Sequence, residues 1–173
     1  VIDELLGRPE QELASAKFDP VDAKNLKADG SKYVILDTRT DNFDKAKAKS
    51  NAEDTITKYE NVACMVGLFA YNPPACLDAI REANRTGKIK VCGFDEPDAM
   101  LQAIKDGHAQ GTVSQQPWKY GYESVKAMKQ ILDGDTSFIP ANKFIEVPFV
   151  VVTKENVDEF WATKKKMAEL GKQ

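Results

Sequence analysis

One stretch, residues 88–117, constrains the fold of this chain more than any other. It reads as an apolar strand that ends at Asp95, a helix over 96–106, and a second apolar strand that ends at Gln115. Strand–helix–strand units with short connections are typical of parallel strands in an α/β sheet. Because ligands of such sheets lie outside the carboxyl ends of the strands, we predict that Asp95 and Gln115 stand on one rim.

The same alternation of strands and helices extends over most of the chain. Further strands are predicted at 33–36, 62–69 and 144–152, and further helices at 1–6, 43–59, 73–83, 118–132 and from 153 onward. A short helix from Asp19 through Leu26 is also predicted. Pro148 places the 144–152 segment at a sheet edge or in a crossing between domains. The predicted fold class is α/β, a three-layer doubly wound parallel sheet.

Apolar periodicity indicates which side of each element faces the core. The strands at 33–36 and 62–69 show no alternation, which is typical of strands covered on both faces. Helical spacing predicts two inward stripes, Ala48, Ala52, Ile56 and Tyr59 in one helix and Val125, Met128, Ile131 and Leu132 in another. In the last helix, Val157, Phe160 and Trp161 share one side.

Composition and motifs exclude several classes of function. The net charge of -3 provides no electrostatic attraction for nucleic acid or an anionic membrane. Neither a Gly-x-Gly-x-x-Gly fingerprint nor a P-loop lysine motif is present, so no nucleotide cofactor is predicted. No cofactor of another kind is predicted either.

Catalytic and metal-binding patterns are also missing from the sequence. The cysteines Cys64, Cys76 and Cys92 do not have metal-ligand spacing, and we interpret them as buried free thiols. The single histidine, His108, lies in a turn and is predicted to be exposed. No Ser-His-Asp or Cys-His set is evident, so we predict neither catalytic residues nor a metal site.

Several motifs in a fixed order resemble one family. The segments Val-Cys-Gly-Phe-Asp at 91–95, Gly-Thr-Val-Ser-Gln-Gln-Pro at 111–117 and Thr-Lys-Glu-Asn-Val at 153–157 resemble the type I periplasmic sugar-binding proteins of the ribose and galactose class. Asp-Asn-Phe-Asp-Lys-Ala at 41–46 and the pair Tyr71-Asn72 also match. The resemblance covers nearly the whole chain.

The resemblance implies a protein of two lobes, joined by three crossing segments, with a sugar bound between them. This chain then corresponds to the C-terminal portion. Residues 1–115 form the second lobe without its first strand, 116–145 form part of the first lobe, and 146–173 form the third crossing and the C-terminal helix. The N-terminal lobe is then mostly missing, together with an arginine that the family usually supplies before the helix at Val1.

The resemblance also implies a ligand site. By analogy Phe43 stacks on the sugar ring, Asn72 and Asp95 bond its hydroxyls, and Gln115 does so near a crossing, while Tyr71 and Trp118 belong either to the rim or to packing. An aromatic plane suits the C–H face of a sugar, and buried hydroxyls need paired partners.

Structural alternatives to these ligand roles stay open. Asp95 can cap a turn, Asn72 can cap a helix, and Phe43 can pack on the core. Asn72 departs from the family pattern because Pro-Pro follows it instead of an acidic residue.

The function implied by the resemblance is substrate binding for a bacterial ABC-type sugar importer, by hinge closure. Such a protein is periplasmic or membrane-anchored outside the cytoplasm, and its partners are a sugar and the transporter permease, with no nucleic acid bound by this segment. The first alternative is the ligand-sensing domain of a LacI-type regulator, and the second is an enzyme.

The doubly wound strand order leads to one more expectation. In the order 2-1-3-4-5, a first strand lies between the strands at 33–36 and 62–69, and it would precede Val1. Without it, two apolar strands would each have an unpaired edge. We therefore expect that 173 residues are not the native unit. Either the chain is a fragment of a longer protein, or another segment fills the central gap. In both cases Ile35 and Met65 are not ladder neighbours.

Overall fold

The computed structural model describes residues 2–9, 19 and 24–172. Six helices and four strands are formed in these ranges. The helices are α1 Ile2–Leu6, α2 Lys45–Lys58, α3 Asn72–Glu82, α4 Asp98–Lys105, α5 Pro117–Leu132 and α6 Val157–Leu170, and the strands are β1 Cys64–Gly67, β2 Lys90–Phe94, β3 Gly111–Ser114 and β4 Val150–Val152. The predicted short helix from Asp19 lies mostly outside the described residues, and its end at Leu26 is not helical.

The four strands form one mixed sheet in the order β1-β2-β3-β4. The first three are parallel, with Met65 opposite Val91 and Gly93 opposite Thr112. β4 adds to β3 in the antiparallel direction at the edge. β4 begins after Pro148, because proline has no backbone N–H to donate to the ladder. The parallel pairing and the edge position are therefore as predicted.

The segment at 33–36 was predicted to be a strand, but it forms no strand of this sheet. Ile35 makes only an isolated antiparallel bridge with Leu26, and Tyr33 and Val34 are exposed. The N–H groups of Leu26 and Ile35 donate to each other's carbonyls at 2.9 and 3.0 Å. A run of β-forming residues becomes a strand only beside a ladder partner. Ile35 is thus not a neighbour of Met65, and in the described residues β1 pairs with β2 alone.

The core lies between one face of the sheet and the helices α3, α4 and α6. Met65, Val91 and Val152 point to this face and are buried. Against them pack the buried side chains Ala79, Ile80, Met100, Leu101, Ile104 and Val157. The inward stripe of α2 is confirmed, since Ala48 and Ala52 are buried and Ile56 and Tyr59 pack on the core.

Two apolar surfaces that we expected to be buried are exposed in the described residues. β1 alternates, with Met65 buried and Val66 exposed, so its second face is uncovered. α5 has no buried residue, and Val125, Met128, Ile131 and Leu132 are all exposed, Leu132 at 84%. The expectation of inward packing was wrong for these side chains because no described element packs against them.

Two glycines determine where α3 sits on the sheet. Pro73, in the first turn of α3, is fully buried above the carboxyl ends of β1 and β2. A Cβ atom at Gly93 would lie 2.4 Å from Pro73 Cγ, and one at Gly67 would lie 2.7 Å from Pro73 N. Only glycine permits this approach. It brings Asn72, the first residue of α3, next to the strand ends.

The three cysteines are free, and our expectation that they are all buried is wrong for Cys64, which is exposed. Cys76 and Cys92 are partly buried. The register pairs Cys64 with Lys90 and Val66 with Cys92, so Cys64 and Cys92 lie on the uncovered sheet face. The Cys64 thiol donates to the Met65 carbonyl at 3.7 Å. The neighbouring Cys64 thiol lowers the pKa of Cys92 to about 7, and the Cys92 thiol raises the pKa of Cys64.

We expect iodoacetamide to alkylate Cys92 with a midpoint near pH 7, because the lowered pKa places the thiolate, the reactive form, in that range. Cys64→Ala removes the neighbouring thiol that lowers the pKa of Cys92, so the midpoint should move upward toward that of an ordinary thiol. Mass spectrometry of alkylation rates against pH measures this shift. Cys76→Ala is the control and should leave the midpoint unchanged. An equal midpoint with and without Cys64 would contradict the pairing.

Of the described helices, none combines the length and the apolar character that crossing a bilayer requires.

Candidate functional site

The carboxyl ends of β1, β2 and β3 lie side by side, and polar residues follow each of them. Asp95 comes directly after β2, and Gln115 directly after β3. Asn72 starts α3, which Pro73 holds against the ends of β1 and β2. These three predicted residues therefore follow neighbouring parallel strands at the same end of the sheet.

Asp95 and Gln115 form one polar pair. The Gln115 Nε2 group donates to Asp95 Oδ1 at 3.1 Å. The Thr112 hydroxyl donates to the Asp95 carbonyl at 2.6 Å and helps to hold Asp95 at a φ of 65°, in the left-handed region. Pro97 is the N-cap of α4, and no side chain caps this helix. The Asp95 side chain therefore accepts from Gln115 and does not cap α4.

Asn72 does not act as the helix cap that we considered. It is the first helical residue, and the N-cap position belongs to Tyr71, which makes no side-chain cap. The Asn72 side chain turns back toward the strand end instead. Its Oδ1 accepts from the Phe69 N–H at 3.0 Å, and its Nδ2 donates to Asp41 Oδ2 at 2.7 Å.

Asp41 is at the centre of this second polar group, although sequence reasoning did not include it among the site residues. It accepts from the Tyr71 hydroxyl at 2.7 Å and from the Phe43 N–H at 2.9 Å, as well as from Asn72. Donation by the Tyr71 hydroxyl, with smaller contributions from Phe43 and Asn72, lowers the pKa of Asp41 below its usual value. The same bond raises the pKa of Tyr71. The segment Asp41-Asn42-Phe43 has the Asx-turn pattern, and this pattern was the signal in the sequence that could have indicated the bond from the Phe43 N–H to the Asp41 side chain.

Three aromatic rings line this part of the rim. Phe43 is 77% exposed, so it is not a core residue. Its ring centroid lies 5.5 Å from that of Phe69, at an interplanar angle of 60°. Phe69 in turn stacks on Tyr71 with centroids 6.2 Å apart. Phe69, which we placed at the end of a strand, is thus a rim residue, and Tyr71 belongs to the rim through its ring and its bond to Asp41.

Trp118 lies elsewhere. It lines a concave region of about 250 Å³ with Gln116, Val150 and Phe160, near the start of α5. The Gln116 Nε2 group donates to the Pro148 carbonyl at 2.7 Å and joins the chain after β3 to the chain before β4. The structure therefore groups Trp118 with the segments that precede α5 and β4, and not with Phe43, Asn72 or Asp95.

The part of the chain that the structure describes contains no cluster suited to a metal ion. Within residues 2–9, 19 and 24–172, no three His, Cys, Asp or Glu side chains are placed to hold a metal ion. His108 is exposed, as predicted. The polar and aromatic rim is the arrangement that these residues offer to a ligand.

The sequence model of the periplasmic binding protein domain matches residues 2–136. The chain belongs to the periplasmic binding protein domain family. It is similar to the ribose import binding protein RbsB of Salmonella typhimurium strain LT2, with 28% identity over 106 residues that make up 60% of this chain and 35% of the relative. A D-ribose/D-allose-binding protein of Pseudomonas aeruginosa is 24% identical over 143 residues, which are 83% of this chain and 43% of the relative.

Solved structures agree with this family. A solute-binding protein of an Agrobacterium vitis ABC transporter with bound D-fucose has a TM-score of 0.64 and 26% identity, covering 75% of this chain and 43% of its own. A second one from that organism, bound with α-D-tagatopyranose, has a TM-score of 0.61 and 27% identity, with coverages of 70% and 40%. The chain thus spans 35% to 43% of the length of these four relatives, and it is a portion of a type I periplasmic sugar-binding protein.

Proposed function

We propose that this chain is the C-terminal portion of the substrate-binding component of a bacterial ABC-type sugar importer. In this proposal a monosaccharide or a related polyol binds between two lobes, which close around it by a hinge. The permease of the importer is the macromolecular partner. The protein works in the periplasm, or anchored to the membrane on its outer side.

The observation that carries the proposal is the polar and aromatic rim at the carboxyl ends of three parallel strands. The Asp95–Gln115 pair and the Asn72 amide supply acceptors and donors for hydroxyl groups. Phe43 supplies an exposed aromatic plane, and its backbone is joined to Asn72 through Asp41. A sugar presents hydroxyls around its ring and C–H groups on its faces, so this combination suits it.

The named relatives support transport over the two alternatives. They are import binding proteins and solute-binding proteins, and their names mention ribose, allose, D-fucose and tagatopyranose. None of these names denotes a LacI-type regulator or an enzyme. Small neutral monosaccharides are accordingly the ligands to test first.

The proposed division into lobes keeps residues 1–115 in the second lobe, 116–145 in the first lobe and 146–173 in the third crossing and the C-terminal helix. Two observations support a boundary after β3. Gln116 takes up a left-handed φ of 57°, which turns the chain. After that turn, α5 buries none of its residues in the described structure.

A thermal-shift screen of the full-length gene product against pentoses, hexoses and polyols tests the function. We expect at least one monosaccharide to raise the melting temperature, since a ligand at about 100 times its Kd stabilises the native state by about 2.7 kcal/mol. Phe43→Ala should reduce this shift because the stacking surface is lost. Phe144→Ala, which removes another exposed phenylalanine outside the rim, is the matched control. A full screen without any shift would contradict sugar binding.

A further inference from the structure

Asp41 connects the turn before α2 with the start of α3. Its Oδ1 accepts from both the Tyr71 hydroxyl and the Phe43 N–H, and its Oδ2 accepts from Asn72 Nδ2. The donors come from two separate segments, the turn before α2 and the first turn of α3. A single carboxylate thereby joins the Phe43 backbone to the Asn72 amide.

The charge of Asp41 determines which way the Asn72 amide points. In the observed orientation Nδ2 faces the Asp41 carboxylate, and Oδ1 accepts from the Phe69 N–H. A flipped amide would place its oxygen against the carboxylate and its NH₂ group against the Phe69 N–H, with two repulsive contacts. The fixed amide keeps one N–H and one oxygen lone pair for a ligand hydroxyl.

Asp41 also holds the backbone that carries Phe43. Asn42 and Phe43 have φ values of 52° and 63°, and two successive left-handed residues are costly when one of them is phenylalanine. The bond from the Phe43 N–H to the Asp41 side chain and the bond from the Asp44 N–H to the Asp41 carbonyl, at 3.0 Å, close this turn. The Phe43 ring is thereby presented outward, against Phe69.

We propose that Asp41 is a positioning residue of the ligand site, which orients the Asn72 amide and the Phe43 ring without itself contacting the ligand. This inference rests on the proposed function. It adds the residue that makes the rim rigid before the ligand arrives. A preorganised rim pays less ordering entropy on binding.

Asp41→Asn is the informative variant because it keeps the shape of the side chain. The new Oδ1 can still accept from Tyr71 and from the Phe43 N–H, so the turn is retained. The new NH₂ group, however, faces Asn72 Nδ2, and two donors cannot pair. We therefore expect the Asn72 amide to turn away, and calorimetry to show about tenfold weaker binding of the monosaccharide found in the screen, as for one lost charge-assisted bond.

The full-length gene product is used, with Asp44→Asn as the matched control. Asp44 caps α2 by accepting from the Ala46 and Lys47 N–H groups, and asparagine caps helices equally well. The affinity of the Asp44→Asn protein should equal that of the wild type.

Two NMR signals report on the role of Asp41 in the absence of sugar. In Asp41→Asn the Tyr71 phenol should titrate at lower pH, because its raised pKa depends first on Asp41, and the Asn72 side-chain NH₂ resonances should move.

The outcomes separate the two proposals. A wild-type protein that binds no monosaccharide overturns the proposed function, and with it the role of Asp41 toward a ligand. Unchanged Tyr71 and Asn72 signals in Asp41→Asn overturn the positioning inference even when the wild type binds sugar. Changed signals with unchanged affinity overturn it as well, because Asp41 would then support only the turn. Changed signals with affinity lost in Asp41→Asn alone support it.

Discussion

Replacing Gly93 with alanine is expected to lower the free energy of unfolding of the full-length gene product by about 1–3 kcal/mol, the usual cost of overpacking a core. The added methyl group would lie 2.4 Å from Pro73 Cγ and 3.3 Å from Met100 Cε. Pro73 is a rigid ring in a fully buried position, so it cannot move aside alone. The shift must pass to α3 and to Asn72 at its start. Urea unfolding measures the loss.

Two further variants make this test specific. Pro73→Ala removes the ring atom that the methyl group meets, so the double variant should recover part of the loss in a double-mutant cycle. Gly121→Ala is the matched control, because Gly121 lies within α5 and, apart from its chain neighbours and the helix backbone, nothing lies within 4 Å of the added methyl group. Alanine there should be neutral or stabilising by up to about 1 kcal/mol. A Gly93→Ala protein as stable as the wild type would contradict the close approach of α3 to the sheet.

The strands and helices around the core were predictable from local pattern. The apolar runs that became β1, β2 and β3 each end before a polar residue or a turn, and the helices between them have a clear 3.6-residue period. The run at 33–36 has the same local character but forms only the bridge from Ile35 to Leu26. Whether residues 33–36 form a strand depends on a ladder partner from a distant segment, so their propensity for β structure alone did not predict the outcome.

The site residues that directly follow a strand could be predicted from the sequence. Asp95 and Gln115 follow adjacent strands, and they are hydrogen-bonded. The role of Asp41 was not accessible in the same way, because its bonds to Tyr71 and Asn72 join residues 30 and 31 positions apart. The burial of Cys64 and of the α5 stripe also failed as a prediction. Apolar periodicity tells which face is apolar, but not whether another element covers it.

Replacing Asp95 with asparagine is expected to weaken monosaccharide binding by about 1–3 kcal/mol, the cost of leaving a buried hydrogen-bonding group unpaired. A carboxylate can accept from two sugar hydroxyls, whereas an amide offers one oxygen and an NH₂ group. One hydroxyl that donated to Asp95 would therefore meet a donor. Gln115 would compete for the remaining oxygen, since its Nε2 already bonds to Oδ1. Calorimetry of the full-length gene product with the sugar identified in the screen measures the change.

Asparagine is the better substitution than alanine for this test. Asp95 has a φ of 65°, a left-handed conformation that Asp and Asn tolerate better than other residues with a side chain. Asp95→Ala should also weaken binding, but it adds backbone strain to the lost contact. Asp106→Asn is the matched control, because Asp106 accepts from Gln102 Nε2 at 2.9 Å at the far end of α4 and its loss changes the net charge equally. Unchanged affinity in Asp95→Asn would remove Asp95 from the site, and equal losses in both variants would indicate a long-range effect of charge.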